Sequence, residues 1–178
     1  MEGARVERDA RARIFGASMS TMLGAINALR GLESRELDEM LARLKPGLQR
    51  TVIALSNLLR SGDAAGGKAA VHYNIGYAQY LLGDLPAADK SVAASIESWP
   101  EGKPLGTMYY LLALIRLHHD DGSRGQSALA ALRSTIEVQP TFTAAWVELM
   151  DCLSEGGDMA ACRALAEQAG RVAAVSAS

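Results

Sequence analysis

The feature that most constrains this chain is a punctuation that recurs along its second half. Gly83-Asp84, Asp121-Gly122 and Gly156-Gly157 each fall between two amphipathic segments, and Pro100 and Pro140 close the first two pairs of segments. Glycine supplies the left-handed backbone that ends a helix, and proline cannot continue one. A chain punctuated in this way reads as helix–turn–helix units in series. Unit starts at Tyr109 and Thr143 give a period of 143 − 109 = 34 residues. The start at Ala69 lies 40 residues before Tyr109, which is 34 plus six, and the excess sits around Glu101–Leu105, a stretch with Gly and Pro. Such a period marks an array in which each unit buries its apolar face only against its neighbours. Composition agrees. Alanine and leucine abound, aromatics are 5%, and Val, Ile and Thr never alternate in strand-like runs. An all-α fold packed through small residues is expected.

The residues at fixed places within the units resemble the tetratricopeptide repeat (TPR) family. In the first unit Gly76, preceded by Ile75, stands at the family's helix-packing glycine. Gly83 is at its interhelix turn, Ala88 at the small residue of its second helix and Pro100 at its closing proline. In the second, Leu112 and Ile115 fill first-helix core places, Ala128 the small place and Pro140 the closing one. In the third, Trp146 takes the place of the family tryptophan, followed by Leu149, by Gly157 at the turn and by Ala169 late in the second helix. Arg116, His119 and Cys162 depart from the small, Tyr and Ala types usual at their places, and Arg116 leaves the helix contact of the second unit undefined. The resemblance covers about residues 69–175. It implies a right-handed solenoid of three repeats, 69–102, 109–142 and 143–176, preceded by an N-terminal helical segment, 1–64, with a capping or dimerisation role.

In the first repeat, Val71, Ile75, Ala78 and Leu82 form one apolar stripe, and Tyr73, Tyr77 and Tyr80/Leu81 form a second on another side. A helix with two apolar stripes has a second neighbour or a ligand. In the family that second side lines a concave groove, and with Asn74 it would continue through Tyr110, Ala113 and Leu117, then Ala144, Val147 and Asp151. Aromatic residues with apolar bodies and polar tips suit peptide binding. Asp120, Asp121, Glu148 and Asp151 would make one end acidic, so the expected ligand has apolar anchors and basic residues. The competing reading is that the tyrosines pack against the N-terminal helices. The Lys/Arg/Asn clamp by which some family members hold a C-terminal carboxylate is not matched. Only Asn74 resembles part of it, and Ala70, Tyr110, Ala144 and Glu148 stand at the basic places.

The N-terminal segment shows a stripe of Phe15, Met19, Met22, Ile26 and Leu29, beside which Gly16, Ser20 and Gly24 recur four apart. Small residues at that spacing let another helix approach closely, so Gly16, Met19, Ser20, Met22 and Gly24 are candidates for a homodimer contact or a tight contact within the chain. Gly31 stops this helix. Ser34 is placed to cap the next, with Glu36, Asp38 and Glu39 in its first turn and Leu37, Leu41 and Leu44 as its stripe. Pro46 predicts a kink or a break, after which Leu48, Val52, Leu55 and Leu59 continue the apolar face. An N-terminal segment followed by three repeats resembles the layout of the bacterial type III secretion chaperones that hold translocator proteins.

Several functions lack support. The net charge is −2, and the cluster Arg5, Arg8, Arg11, Arg13 is interleaved with Glu2, Glu7 and Asp9, so no positive field for nucleic acid is present. The longest apolar stretches are too short to span a bilayer, no secretory signal is visible, and two cysteines suggest a reducing compartment; a cytoplasmic location is expected. Gly62–Ala69 nearly spells a phosphate loop, but the final Ser/Thr is Ala69 and a helix is expected before it. His118-His119-Asp120-Asp121 reads as a helix-end cap, because neighbours on a helix point apart, and Cys152 and Cys162 read as buried small hydrophobes. No metal, no cofactor and no catalytic set is expected. The expected function is a non-catalytic protein-interaction module, adaptor or chaperone-like. The alternatives are a self-associating scaffold protein and, third, a nucleotide-binding enzyme.

Overall fold

The computed structural model describes residues 34–62, 64, 67–99, 104–119 and 125–176. Among these are seven helices and no strand: α1 (Ser34–Ser61), α2 (Lys68–Leu81), α3 (Leu85–Glu97), α4 (Gly106–His118), α5 (Gly125–Val138), α6 (Thr143–Glu155) and α7 (Met159–Ser176). The chain divides into two compact units, Met1–Ser98 and Trp99–Ser178. The division falls in the connection between successive helix pairs that joins α3 to α4: 105 − 97 = 8 residues separate them, against 142 − 138 = 4 between α5 and α6. Pro100 and the Gly-Pro stretch beside it lie largely outside the described residues.

One turn design closes two of the pairs. After α2, Gly83 has φ +79° and the Asp84 amide donates to the Gln79 carbonyl at 2.9 Å; after α6, Gly157 has φ +75° and the Asp158 amide donates to the Leu153 carbonyl at 2.9 Å. This six-to-one bond around a left-handed glycine is a Schellman ending. The next helix then starts on an aspartate whose carboxylate accepts from the third residue on: Ala87 N–H to Asp84 at 3.3 Å, and Ala161 N–H to Asp158 at 3.0 Å. That satisfies one of the orphan donors of a helix N-terminus. The two turns are 157 − 83 = 74 residues apart, which is the 40 and 34 of the sequence periods together.

In the first unit, α2 packs against both α1 and α3. Gly76 lies so close to α3 that a Cβ there would sit 2.6 Å from Val92 Cγ2 and 3.1 Å from the Val92 nitrogen. Ala88 and Val92 are fully buried, and buried Ser95 donates its hydroxyl to the Ala69 carbonyl at 2.7 Å. The polar atom in this core is therefore satisfied, as burial demands. Helix α1 runs on through Pro46, so of the kink or break expected there the break is absent. Proline costs one backbone bond and about 3 kcal/mol in a helix interior, Gly47 after it adds about 1 kcal/mol, and the good helix formers on either side of this pair outweigh both.

In the second unit, Leu132, Ile136, Ala145, Trp146, Leu149, Leu153, Cys162 and Leu165 form a core shared by α5, α6 and α7, joined from α4 by Tyr110 and Ala113. Helix α4 is apolar on every side: Met108, Tyr110, Leu111, Leu112, Ala113 and Ile115 are all buried. A helix of that kind belongs in an interior. Trp146 anchors the third pair by donating Nε1–H to the Pro140 carbonyl at 2.8 Å, which ties α6 to the closing-proline turn before it. The nonconforming Arg116 is half-buried and reaches α5, with its guanidinium 3.5 Å from the Ser127 carbonyl.

Candidate functional site

The groove residues expected from the sequence divide into three groups. Tyr73 (1% exposed), Tyr110 (5%) and Ala113 (0%) are buried, so in this structure they belong to the core and not to an open surface. The physical reason is legible in each unit. Helix α2 has two helical neighbours in its own unit, so much of its second apolar side is used in packing. The Tyr110 ring meets Phe142 with centroids 4.8 Å apart at 50°, a tilted aromatic pair inside the second core.

Asn74, Tyr77, Tyr80 and Leu81 form a second group, half-exposed on α2; Leu117 is likewise half-exposed on α4 and leans on the second core. Tyr77 carries its hydroxyl inward: the oxygen is buried and has no hydrogen-bond partner among the described residues, while the ring retains exposure. Burial, and then the neighbouring Tyr80, raise its pKa above the ordinary 10.0. The polar tip that was expected to face a ligand thus points into the protein.

The third group lies on α6. Val147 is 53% exposed, Asp151 is exposed and Glu148 half-exposed. With Ala144 and Glu155 they fall within a sector of roughly 100° at 3.6 residues per turn. Helix α6 contains Glu148, Asp151 and Glu155 and no Lys or Arg. The half-buried Cys152 thiol beside them registers the field: burial first, then Glu148, Glu155 and Asp151, push its pKa above 9.0. Glu155 was missed in the sequence, although its spacing of four from Asp151 and seven from Glu148 places it on the same face. Asp120 and Asp121, and the dimer candidates Gly16, Met19, Ser20, Met22 and Gly24, lie outside the described residues.

The other chemical motifs resolve simply. The near-phosphate loop is preceded by helix α1, so the strand–loop–helix frame that aims backbone amides at phosphate is missing. His118 Nδ1 lies 2.8 Å from the Leu114 carbonyl in the last turn of α4, a helix-end contact. Cys152 and Cys162 are free thiols, the second buried with its Sγ 3.8 Å from the Met150 carbonyl. No described helix is long and apolar enough to cross a membrane.

The described residues form packed helix pairs, two of them closed by glycine turns, in a TPR-like helical fold. Among solved structures, the crystal structure of MamA is similar to this chain, with a TM-score of 0.51 and 16% identity over 80% of this chain and 88% of that one. At that identity the likeness is one of fold. No family model matches the chain, and no curated protein matches it.

Proposed function

We propose that this chain is a protein-interaction module of three TPR-like repeats, and that its partner contributes a basic segment with an apolar anchor, received on the exposed face of α6. The observation that carries this reading is the composition of that face. Acidic side chains three or four apart on one helix repel by about 0.2–0.5 kcal/mol per pair, and an acid in the last turn opposes the helix dipole by roughly 0.3–1 kcal/mol. Glu148–Asp151, Asp151–Glu155 and the terminal Glu155 incur all of these penalties, and α6 holds no cation to offset them. Beside them Val147 exposes an apolar side chain. A surface that is unfavourable for the free helix becomes favourable once lysines or arginines of a partner lie along it. The half-exposed Asn74, Tyr77, Tyr80 and Leu81 on α2 are a further contact area of the adaptor or chaperone-like role.

The test uses the full chain and an array of short peptides that combine Lys or Arg with Leu, Ile or Phe. Peptides selected on the wild type are titrated by fluorescence anisotropy against Asp151→Asn with Glu155→Gln, and against Val147→Ser. The double neutralisation should raise stability by about 0.5–1 kcal/mol while weakening peptide binding about tenfold and flattening its salt dependence. Unchanged affinity in both variants refutes the reading.

A further inference from the structure

Charge in this chain is sorted by position. From Met40 to Gly83 the sequence holds Arg43, Lys45, Arg50, Arg60 and Lys68 against the single acid Asp63, a balance of 5 − 1 = +4. From Ser134 to Cys162 it holds Glu137, Glu148, Asp151, Glu155 and Asp158 and no Lys or Arg, a balance of −5. The whole chain carries only −2, so the two stretches are strongly and oppositely charged.

The negative stretch contains the exposed face of α6, where Val147 stands beside Glu148, Asp151 and Glu155. The positive stretch has its counterpart on α1. The inner stripe of that helix, Leu41, Leu48, Val52, Leu55 and Leu59, is half-buried, and α2 is its neighbour in the first unit. Arg43, Arg50, Ile53 and Ala54 are exposed and fall within a sector of roughly 100° on the opposite side of the helix. Ile53, at 60%, is the most exposed large apolar side chain among the described residues.

The two faces match in spacing. Arg43 and Arg50 are seven residues apart, and so are Glu148 and Glu155. At 1.5 Å per residue each pair spans about 10.5 Å. The apolar residues decide the direction. With the helices antiparallel, Arg50 meets Glu148 and Arg43 meets Glu155, and Ile53 and Val147 fall within about 3 Å of each other along the axis. With the helices parallel, the same charge pairing leaves them roughly 16 Å apart. Helix α1 thus carries cations at the spacing of the α6 acids, with an apolar anchor at their end.

We propose, resting on the assignment of the α6 face to a basic partner, that this partner is a second copy of the chain, whose α1 docks antiparallel on α6 through Arg43, Arg50 and Ile53. The contact joins two different faces, so it is heterologous, and each copy offers one of each. Sedimentation velocity of the full chain at roughly 10–200 µM, a range suited to a small and weak interface, should show mass rising with concentration. Raising salt from about 50 to 500 mM should reverse the rise. Arg43→Gln with Arg50→Gln and Ile53→Ser removes the α1 face; Asp151→Asn with Glu155→Gln and Val147→Ser removes the α6 face. All six side chains are exposed, so helical circular dichroism should be unchanged. Each variant alone should associate at least about tenfold more weakly than the wild type. Mixed, the two should form a one-to-one dimer and nothing larger, because one intact face of each kind remains. A wild type that stays monomeric overturns the proposal; if selected basic peptides still bind α6, only the identity of the partner has failed. Association that survives high salt or loss of the α1 face overturns it, and so do mixed variants that stay apart.

Discussion

Gly76→Ala adds one methyl where the structure has no room for it. The new Cβ would lie 2.6 Å from Val92 Cγ2, 3.1 Å from the Val92 nitrogen and 3.2 Å from the Ala88 carbonyl oxygen. Only the first contact belongs to a side chain, and Val92 is itself fully buried, so α2 and α3 must separate. Overpacking of this kind costs about 1–3 kcal/mol. Alanine returns up to about 1 kcal/mol of helix propensity relative to glycine, which leaves a net loss of about 1 kcal/mol. Gly170 in α7 provides the contrast: it is exposed, and nothing lies within 4 Å of the position its Cβ would take. Gly170→Ala should therefore gain roughly 0.5–1 kcal/mol. The assay is urea unfolding followed by helical circular dichroism on the two variants and the wild type, with slopes compared so that a change in cooperativity is seen. The variants should move in opposite directions and differ by about 2 kcal/mol. A Gly76→Ala chain as stable as Gly170→Ala would refute the claim that close α2–α3 approach fixes the first repeat.

Three further outcomes follow from single contacts. Trp146→Phe removes the bond to the Pro140 carbonyl and leaves a cavity where the second ring of the buried indole stood, so it should cost about 2–3 kcal/mol by urea unfolding. His72 is held below its ordinary 6.5 by burial and then by Lys68. The folded state thus resists protonation, and stability should be level above pH 6.5 and fall as pH drops from there toward the lowered value; His72→Gln should flatten that decline in unfolding midpoints measured at about pH 7.5 and 5.5. The raised pKa of Cys152 predicts slower alkylation by iodoacetamide than a free cysteine shows near pH 8, and Glu148→Gln should speed it.

The helical-repeat fold was legible because its signals are local and redundant. Gly83 and Gly157 mark turns that need a positive φ, and Trp146 and Ala128, placed by the resemblance to the repeat family, are both buried; Asp84 and Asp158, which start the following helices, went unread as caps. Of the kink or break expected at Pro46, the break is absent because a proline penalty is a fixed sum and the propensity of the residues around it is cumulative. The surface was less legible. A helical wheel shows that Tyr73 and Tyr110 lie off the main stripe, but not whether a ligand or another helix of the chain takes them up. Only contacts distant in sequence, α1 beside α2 and Phe142 against Tyr110, resolve that.

The same reasoning explains why the proposed function rests first on the acidic face of α6 and only second on the half-exposed aromatic residues of α2. An apolar or aromatic side chain off the main stripe gains roughly 25 cal/mol per Å² wherever it is buried, and the chain's own helices are the nearest cover. A carboxylate gains nothing from burial without a partner charge, so Glu148, Asp151 and Glu155 stay at the surface whatever packs nearby, and α6 supplies no cation to meet them. Surplus apolar surface is thus weak evidence for a partner in a helical repeat, because neighbouring repeats consume it. Surplus like charge around an exposed valine is stronger evidence, because burial against an apolar neighbour does not remove its penalty and an opposite charge does.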